Sequence, residues 1–90
     1  MIRNGPPALA AVMLLTTAGP AMPQGVCEAL WVERNEIYAE NGLCFKTRRA
    51  IAFFGNAGCV YDDPEDVPLS GTERRRVAEI VRAERRNGCR

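Results

Sequence analysis

Cys27-Glu28-Ala29-Leu30-Trp31-Val32-Glu33-Arg34-Asn35-Glu36-Ile37-Tyr38-Ala39-Glu40-Asn41-Gly42-Leu43-Cys44-Phe45 decides how this 90-residue chain folds. Leu30, Trp31, Ile37 and Tyr38 recur near multiples of the helical repeat, so they share one face of a helix. That helix is expected from about Glu28 to Asn41, with Arg34 among its apolar residues. Asn41-Gly42 is a stop signal, because glycine suits the left-handed residue after a helix end. Leu43 and Phe45 then return apolar side chains to the last turn.

Two more helices follow from their ends. Thr47 can cap a short helix from Arg48 to Phe54, which carries Ile51, Phe53 and Phe54 and ends at Gly55. Asp62 to Pro68 holds two prolines and four carboxylates, which predicts a loop. Ser70-Gly71-Thr72-Glu73 is a capping box, in which Ser70 and Glu73 satisfy each other's backbone amides. A third helix is expected from there to about Asn87, with Val77, Ile80, Val81 and Glu84 as its inward stripe. No strand-like alternation stands out. The predicted fold is therefore all-α, a small three-helix domain stapled by disulfides.

Upstream lies an export pattern. Arg3 gives a positive start, Ala8 to Ala18 is apolar and uncharged, and Ala18-Gly19-Pro20-Ala21 is a small-residue exit. The apolar stretch is about half of the roughly 20 residues that span a bilayer. Residues 1–21 are read as a signal peptide cleaved after Ala21, 22–26 as a short linker, and 27–90 as the folded domain. The expected location is the periplasm or the extracellular space, with no stable membrane insertion after cleavage.

All four cysteines fall in the expected mature part. An even count in an exported chain reads as disulfides. Zinc is disfavoured, because it wants close cysteine pairs or histidine help, and the sequence has no histidine. Three connectivities are open. The helix layout favours Cys27 with Cys89, tying the ends of the domain, and Cys44 with Cys59, bracketing the middle helix. So short a chain buries little apolar surface, and staples are what such domains use.

Charge narrows the function classes. Loss of Arg3 leaves a side-chain net charge of zero, against a nucleic-acid binder, which carries a one-sided basic surplus. The first helix is acidic and the third is basic. Arg74, Arg75, Arg76, Arg82, Arg85 and Arg86 either pair within the molecule, with Glu79 in reach of Arg75 and Arg82, or face anionic envelope material. The acidic loop lacks the alternating ligands and glycine of a calcium loop. An enzyme lacks its usual parts: Ser70 is a helix cap, and the paired carboxylates lie in a loop rather than on a rigid support. No catalytic residue, cofactor or metal is expected.

The stretch Leu30 to Phe45 resembles the core of a YARHG domain, a small bacterial module placed outside the cytoplasm and named after its Tyr-Ala-Arg-His-Gly motif. Here the motif reads Tyr38-Ala39-Glu40-Asn41-Gly42, preceded by Arg34-Asn35-Glu36-Ile37; Glu40 and Asn41 replace the Arg and His of the name. The similarity is read over Cys27 to Cys89. It implies an exported module of unestablished activity; with an enzyme's usual parts missing, the expected function is a non-enzymatic interaction module whose partner is an unknown protein or a cell-envelope component. A secreted inhibitor of an envelope or extracellular enzyme is the alternative. Trp31, Arg34, Asn35, Tyr38 and Gly42 form the motif of interest. Arg34 and Asn35 are expected to bond backbone carbonyls and lock the helix to the following loop, or else to face a ligand together with Trp31 and Tyr38.

Overall fold

Pro23 opens the first helix five residues before the expected start. A computed structural model describes residues 23–90, so the expected signal peptide at 1–21 and the first linker residue lie outside the described residues. Helix α1 spans Pro23–Glu40, α2 spans Arg48–Phe54 and α3 spans Gly71–Arg86, with one 3₁₀ turn at Pro64–Asp66. Proline suits the first helical position because its missing N–H would have no partner there and its φ is already helical. Residues 23–26, expected as linker, are continuous with α1. The sequence offers no Ser, Thr, Asp or Asn just before Pro23 to mark that start, and the reading began at Glu28.

The other boundaries follow their caps. Thr47 accepts from the amide of Ala50 at 3.1 Å, and Gly55 closes α2 with a φ of 74°. The capping box of α3 is formed in both directions: Glu73 N–H donates to Ser70 Oγ at 3.0 Å, and Ser70 N–H donates to Glu73 Oε1 at 2.9 Å. The acidic loop is not wholly irregular. Asp63 caps its 3₁₀ turn by accepting from the amide of Glu65 at 2.9 Å, with Pro64 preset for a first position.

Helices α1 and α3 run antiparallel, because their contacts occur in opposite order along the two segments. Cys27 is bonded to Cys89 at one end, Arg34 to Glu84 further along, and Asn41 to Glu73 at the other end. Ile80, 1% exposed, lies on the face of α3 turned toward α1. Helix α2 lies against the side of α1 that carries Trp31. Phe53 and Phe54 approach the indole at 5.8 and 5.6 Å, and Phe54 stacks on Phe45 at 5.1 Å. The apolar face of α1 is thus split between neighbours, with Leu30 beside α3 and Trp31 beside α2.

The main core is Leu43, Phe45, Ala50, Val67 and Leu69, with Ile37, Tyr38, Tyr61 and Val77 packed partly against it. Four of these five buried residues, all but Ala50, come from segments between helices. Cys44 N–H donates to the Tyr61 carbonyl at 2.7 Å and Tyr61 N–H to the Gly42 carbonyl at 2.9 Å, a parallel bridge of one residue pair that no alternation in sequence announces. Asn56 clamps the same segment, accepting from Phe45 N–H at 2.7 Å and donating to the Phe45 carbonyl at 3.0 Å. Gly42, at φ 98°, sits under the Tyr61 ring, where an added Cβ would meet a ring carbon at 3.3 Å. Backbone conformation and the close approach both select glycine there.

Both disulfides take the connectivity the helix layout favours: Cys27–Cys89, with Cα atoms 5.4 Å apart, and Cys44–Cys59, 5.1 Å apart. Such bridges persist in oxidising compartments. No described helix is long and apolar enough to cross a membrane. The Cys27–Cys89 bridge closes 62 residues of chain, which chain-entropy arguments value at about 4 kcal/mol; the shorter loop comes to about 3 kcal/mol. Replacing Cys27 and Cys89 together by serine should lower the urea midpoint more than replacing Cys44 and Cys59. A larger loss from the second pair would show that the link between the ends of α1 and α3 is not the dominant constraint.

Candidate functional site

Arg34 was expected to bond backbone carbonyls; it instead crosses to α3. Its Nε donates to Glu84 Oε1 at 2.9 Å and its Nη2 to Glu84 Oε2 at 3.0 Å. Guanidinium and carboxylate are planar and match in this two-bond form, which is stronger than a single contact. Both side chains are mostly covered, 27% and 14% exposed. Glu84 lies on the inward stripe of α3 among aliphatic residues, and Arg34 is the charge that makes its burial tolerable.

Asn35 behaves as expected in one half only. Its Nδ2 donates to the Trp31 carbonyl at 2.9 Å, one helical turn back. It is the buried polar residue of the described chain, 9% exposed. Its Oδ1 receives no hydrogen bond from any described residue. Buried polar atoms ordinarily find a partner in protein or in water.

Asn35 lines a cleft of about 570 Å³. Trp31 and Arg34 join it from α1. Leu43 to Thr47 form one side, Ala50 of α2 part of the floor, and Asp62, Asp63 and Pro64 the opposite rim. Arg49 lies over the Trp31 ring, its Cζ 3.6 Å from the centroid, and pairs with Glu28. The indole is therefore held between a cation and the α2 phenyl rings, and its rotamer is fixed before anything enters the cleft. Lys46 bonds the Asp62 carbonyl at 2.6 Å, so the two rims touch at that point.

Tyr38 is separated from this group. It lines a second hollow with Asp63, Pro64, Glu65, Val67, Leu69, Arg74 and Val77. Asp63 and Pro64 border both hollows, and the 3₁₀ turn stands as a wall between them. Trp31, Arg34 and Asn35 thus come together as the helical spacing implied. Tyr38 faces elsewhere, and Gly42 is a backbone requirement of the fold. Among the residues that the spacing did not flag, Lys46 and Asp62 border the cleft, and nothing in their local sequence marks them.

Asn41 has a structural task. Its Nδ2 donates to the Ile37 carbonyl at 2.8 Å and to Glu73 Oε2 at 3.0 Å, joining the end of α1 to the start of α3. The Glu73 carboxyl is held below its ordinary 4.5, first by the Ser70 amide and then by Asn41. Outside the cleft, Arg76 donates to Glu33 at 2.7 Å and to Glu79 at 3.1 Å. These partners push the Arg76 guanidinium up, Glu33 foremost. Glu79 was placed in reach of Arg75 and Arg82, but it pairs with Arg76, which leans toward α1. No group of three His, Cys, Asp or Glu side chains converges as a metal site among the described residues.

The features define a class: a disulfide-closed, three-helix domain with a partly apolar cleft beside its first helix. The YARHG domain profile matches residues 8–85, the greater part of the sequence. The chain belongs to the YARHG domain family. The matched span begins upstream of Cys27 and stops short of Cys89, where the resemblance in the residues was read over Cys27 to Cys89. No curated protein and no solved structure matches the chain.

Two outcomes test this geometry. Arg34→Ala should destabilise the domain by about 2 kcal/mol, the size of a lost charge-assisted hydrogen-bond pair, read from urea unfolding; Arg34→Lys should recover part of it. An unchanged midpoint in Arg34→Ala would remove the pair from the fold's support. Because the Glu73 carboxyl is depressed in the folded state, its contribution is present above its ordinary value and is lost as pH falls through the folded value. The melting temperature of the native chain should therefore drop more steeply through that acid range than that of Glu73→Gln. Parallel curves would overturn the assignment.

Proposed function

We propose that this chain is an exported, non-enzymatic binding domain and that its site is the Trp31 cleft. The observation that carries the reading is Asn35, a buried side chain on the wall of that cleft whose Oδ1 has no donor among the described residues. A ligand supplying an N–H or O–H would complete it. Trp31, Leu43, Phe45 and Ala50 offer apolar wall, while Lys46, Asp62 and Asp63 put both signs of charge at the rim. Few polar groups set among apolar walls, in a cavity of this size, is the composition of small-ligand sites.

The cleft accordingly suits a peptide-sized segment with an apolar body and one inward-facing hydrogen-bond donor, presented by a partner protein or an envelope component. Export is supported by the positive start at Arg3, the apolar stretch Ala8 to Ala18 and the two disulfides. Binding rather than catalysis is supported by the chemistry available. The sequence has no histidine, the cleft's cysteine is held in a disulfide, and the rim carboxylates Asp62 and Asp63 are exposed. A general acid or base needs a fixed and tuned environment.

The test uses isotope-labelled protein and fractions of an envelope digest. Binding should move the amide signals of Trp31, Asn35, Phe45 and Lys46 together, and should quench the emission of Trp31, the chain's single tryptophan. Lys46→Gln, at an exposed rim position, should weaken the response at little cost in melting temperature, since the ion pair it removes is exposed. Signal changes confined to other surfaces, or none in any fraction, would overturn the reading.

A further inference from the structure

The arginines of α3 divide sharply once their partners are known. Arg76 is occupied by Glu33 and Glu79, and Arg74 donates to the Leu69 carbonyl at 3.0 Å. Arg75 reaches only a neutral hydroxyl, Thr72 Oγ1 at 3.3 Å. Arg82, Arg85 and Arg86 meet no carboxylate among the described residues, and all are exposed. Arg75, Arg82 and Arg86 stand seven and four residues apart, so they fall on one face of the helix, with Arg85 beside them. That face is opposite the Val77, Ile80 and Glu84 stripe. Every carboxylate of α3 is engaged elsewhere: Glu73 by the cap and Asn41, Glu79 by Arg76, Glu84 by Arg34. The sequence has no Asp or Glu before Glu28, so residues 1–22 bring no counter-charge.

The result is an unneutralised ridge of four arginines on a chain whose mature side-chain charge is zero. From Arg75 to Arg86 it extends for roughly 16 Å at the helical rise. The compensating negative charge lies elsewhere. Glu36, Glu40, Glu65 and Asp66 have no ion-pair partner among the described residues, and they sit on the last turns of α1 and the 3₁₀ turn, away from the Cys27–Cys89 end. Arg82, Arg85 and Arg86 thus stand toward the Cys27–Cys89 end, away from these carboxylates, while Arg75 lies near the Glu73 cap at the other end, and the outward face of α3 can approach an anionic surface.

We propose that the outward face of α3 docks on anionic phospholipid, with Arg75, Arg82, Arg85 and Arg86 bonding headgroup phosphates. Arginine is suited to this because its planar fork bonds two phosphate oxygens at once. The ridge contains Ala78 and no large apolar side chain, so the domain adsorbs on the headgroups without entering the acyl layer, and its binding is screened by salt. Four arginines near an anionic surface correspond to a preference of about a thousandfold over a neutral one. This docking is independent of the Trp31 cleft.

The full chain, as recovered from the producing cell with its disulfides intact, is sedimented with phosphatidylcholine vesicles with and without phosphatidylglycerol, at low and at high salt. The expected result is retention on the phosphatidylglycerol vesicles alone, lost at high salt and lost in Arg82→Gln/Arg85→Gln/Arg86→Gln. The exposed Arg48→Gln on α2 should bind as the native chain does. Circular dichroism confirms that the triple variant is folded; if it is not, single substitutions at the three positions replace it, each expected to weaken binding severalfold. Equal retention on neutral vesicles, unchanged binding of the substituted chains, or binding to duplex DNA in place of lipid would each overturn the proposal.

Discussion

The covalent link between the start of α1 and the end of α3 is the constraint on which the rest depends. Few side chains in this domain are fully covered, and several that are come from the connecting segments. A core so small leaves little margin against the entropy of ordering the chain. Closing the Cys27–Cys89 loop acts on the unfolded ensemble, by removing conformations before any packing is counted. With the two helix ends held, the antiparallel register of α1 and α3 is set. The Arg34–Glu84 pair then forms across a distance already fixed, so it orders fewer degrees of freedom than an isolated ion pair would.

The second bridge does a different job. Cys44 and Cys59 hold the segment after α1 beside the segment after α2, where the Leu43–Tyr61 pairing and the Asn56 clamp finish the connection. That segment supplies Leu43 and Phe45 to the core and, on its other side, one bank of the cleft. Core and cleft share a wall. The cleft's shape is therefore as stable as the fold, and its aromatic face is fixed further by Arg49 above Trp31.

Legibility in the sequence followed the range of the interaction. The ends of α2 and α3 were readable because Thr47, Gly55 and the Ser70–Glu73 box act within one turn of themselves. The start of α1 was not, since Pro23 carries the signal without a capping side chain. Arg34 was picked out from its place on an apolar face, but its partner lies 50 residues on, and only the inward position of Glu84 hinted at it. Asn35 was noticed for the same reason as Arg34. The split between Trp31 and Tyr38 could not be read, because it is made by the acidic loop folding its 3₁₀ turn against α1. Nor could Asn56, whose hydrogen bonds depend on how two loops meet.

The wall made by Asp63 and Pro64 has a mechanical side. It is one residue pair thick and has a hollow on each flank, one against Trp31 and one against Tyr38. Its backbone is braced by a single 3₁₀ turn and by the burial of Val67 behind it. A partition of that kind is a shared panel between two rooms, giving one side to each chamber. The acidic loop therefore shapes both hollows at once, with Asp63 and Pro64 common to their linings.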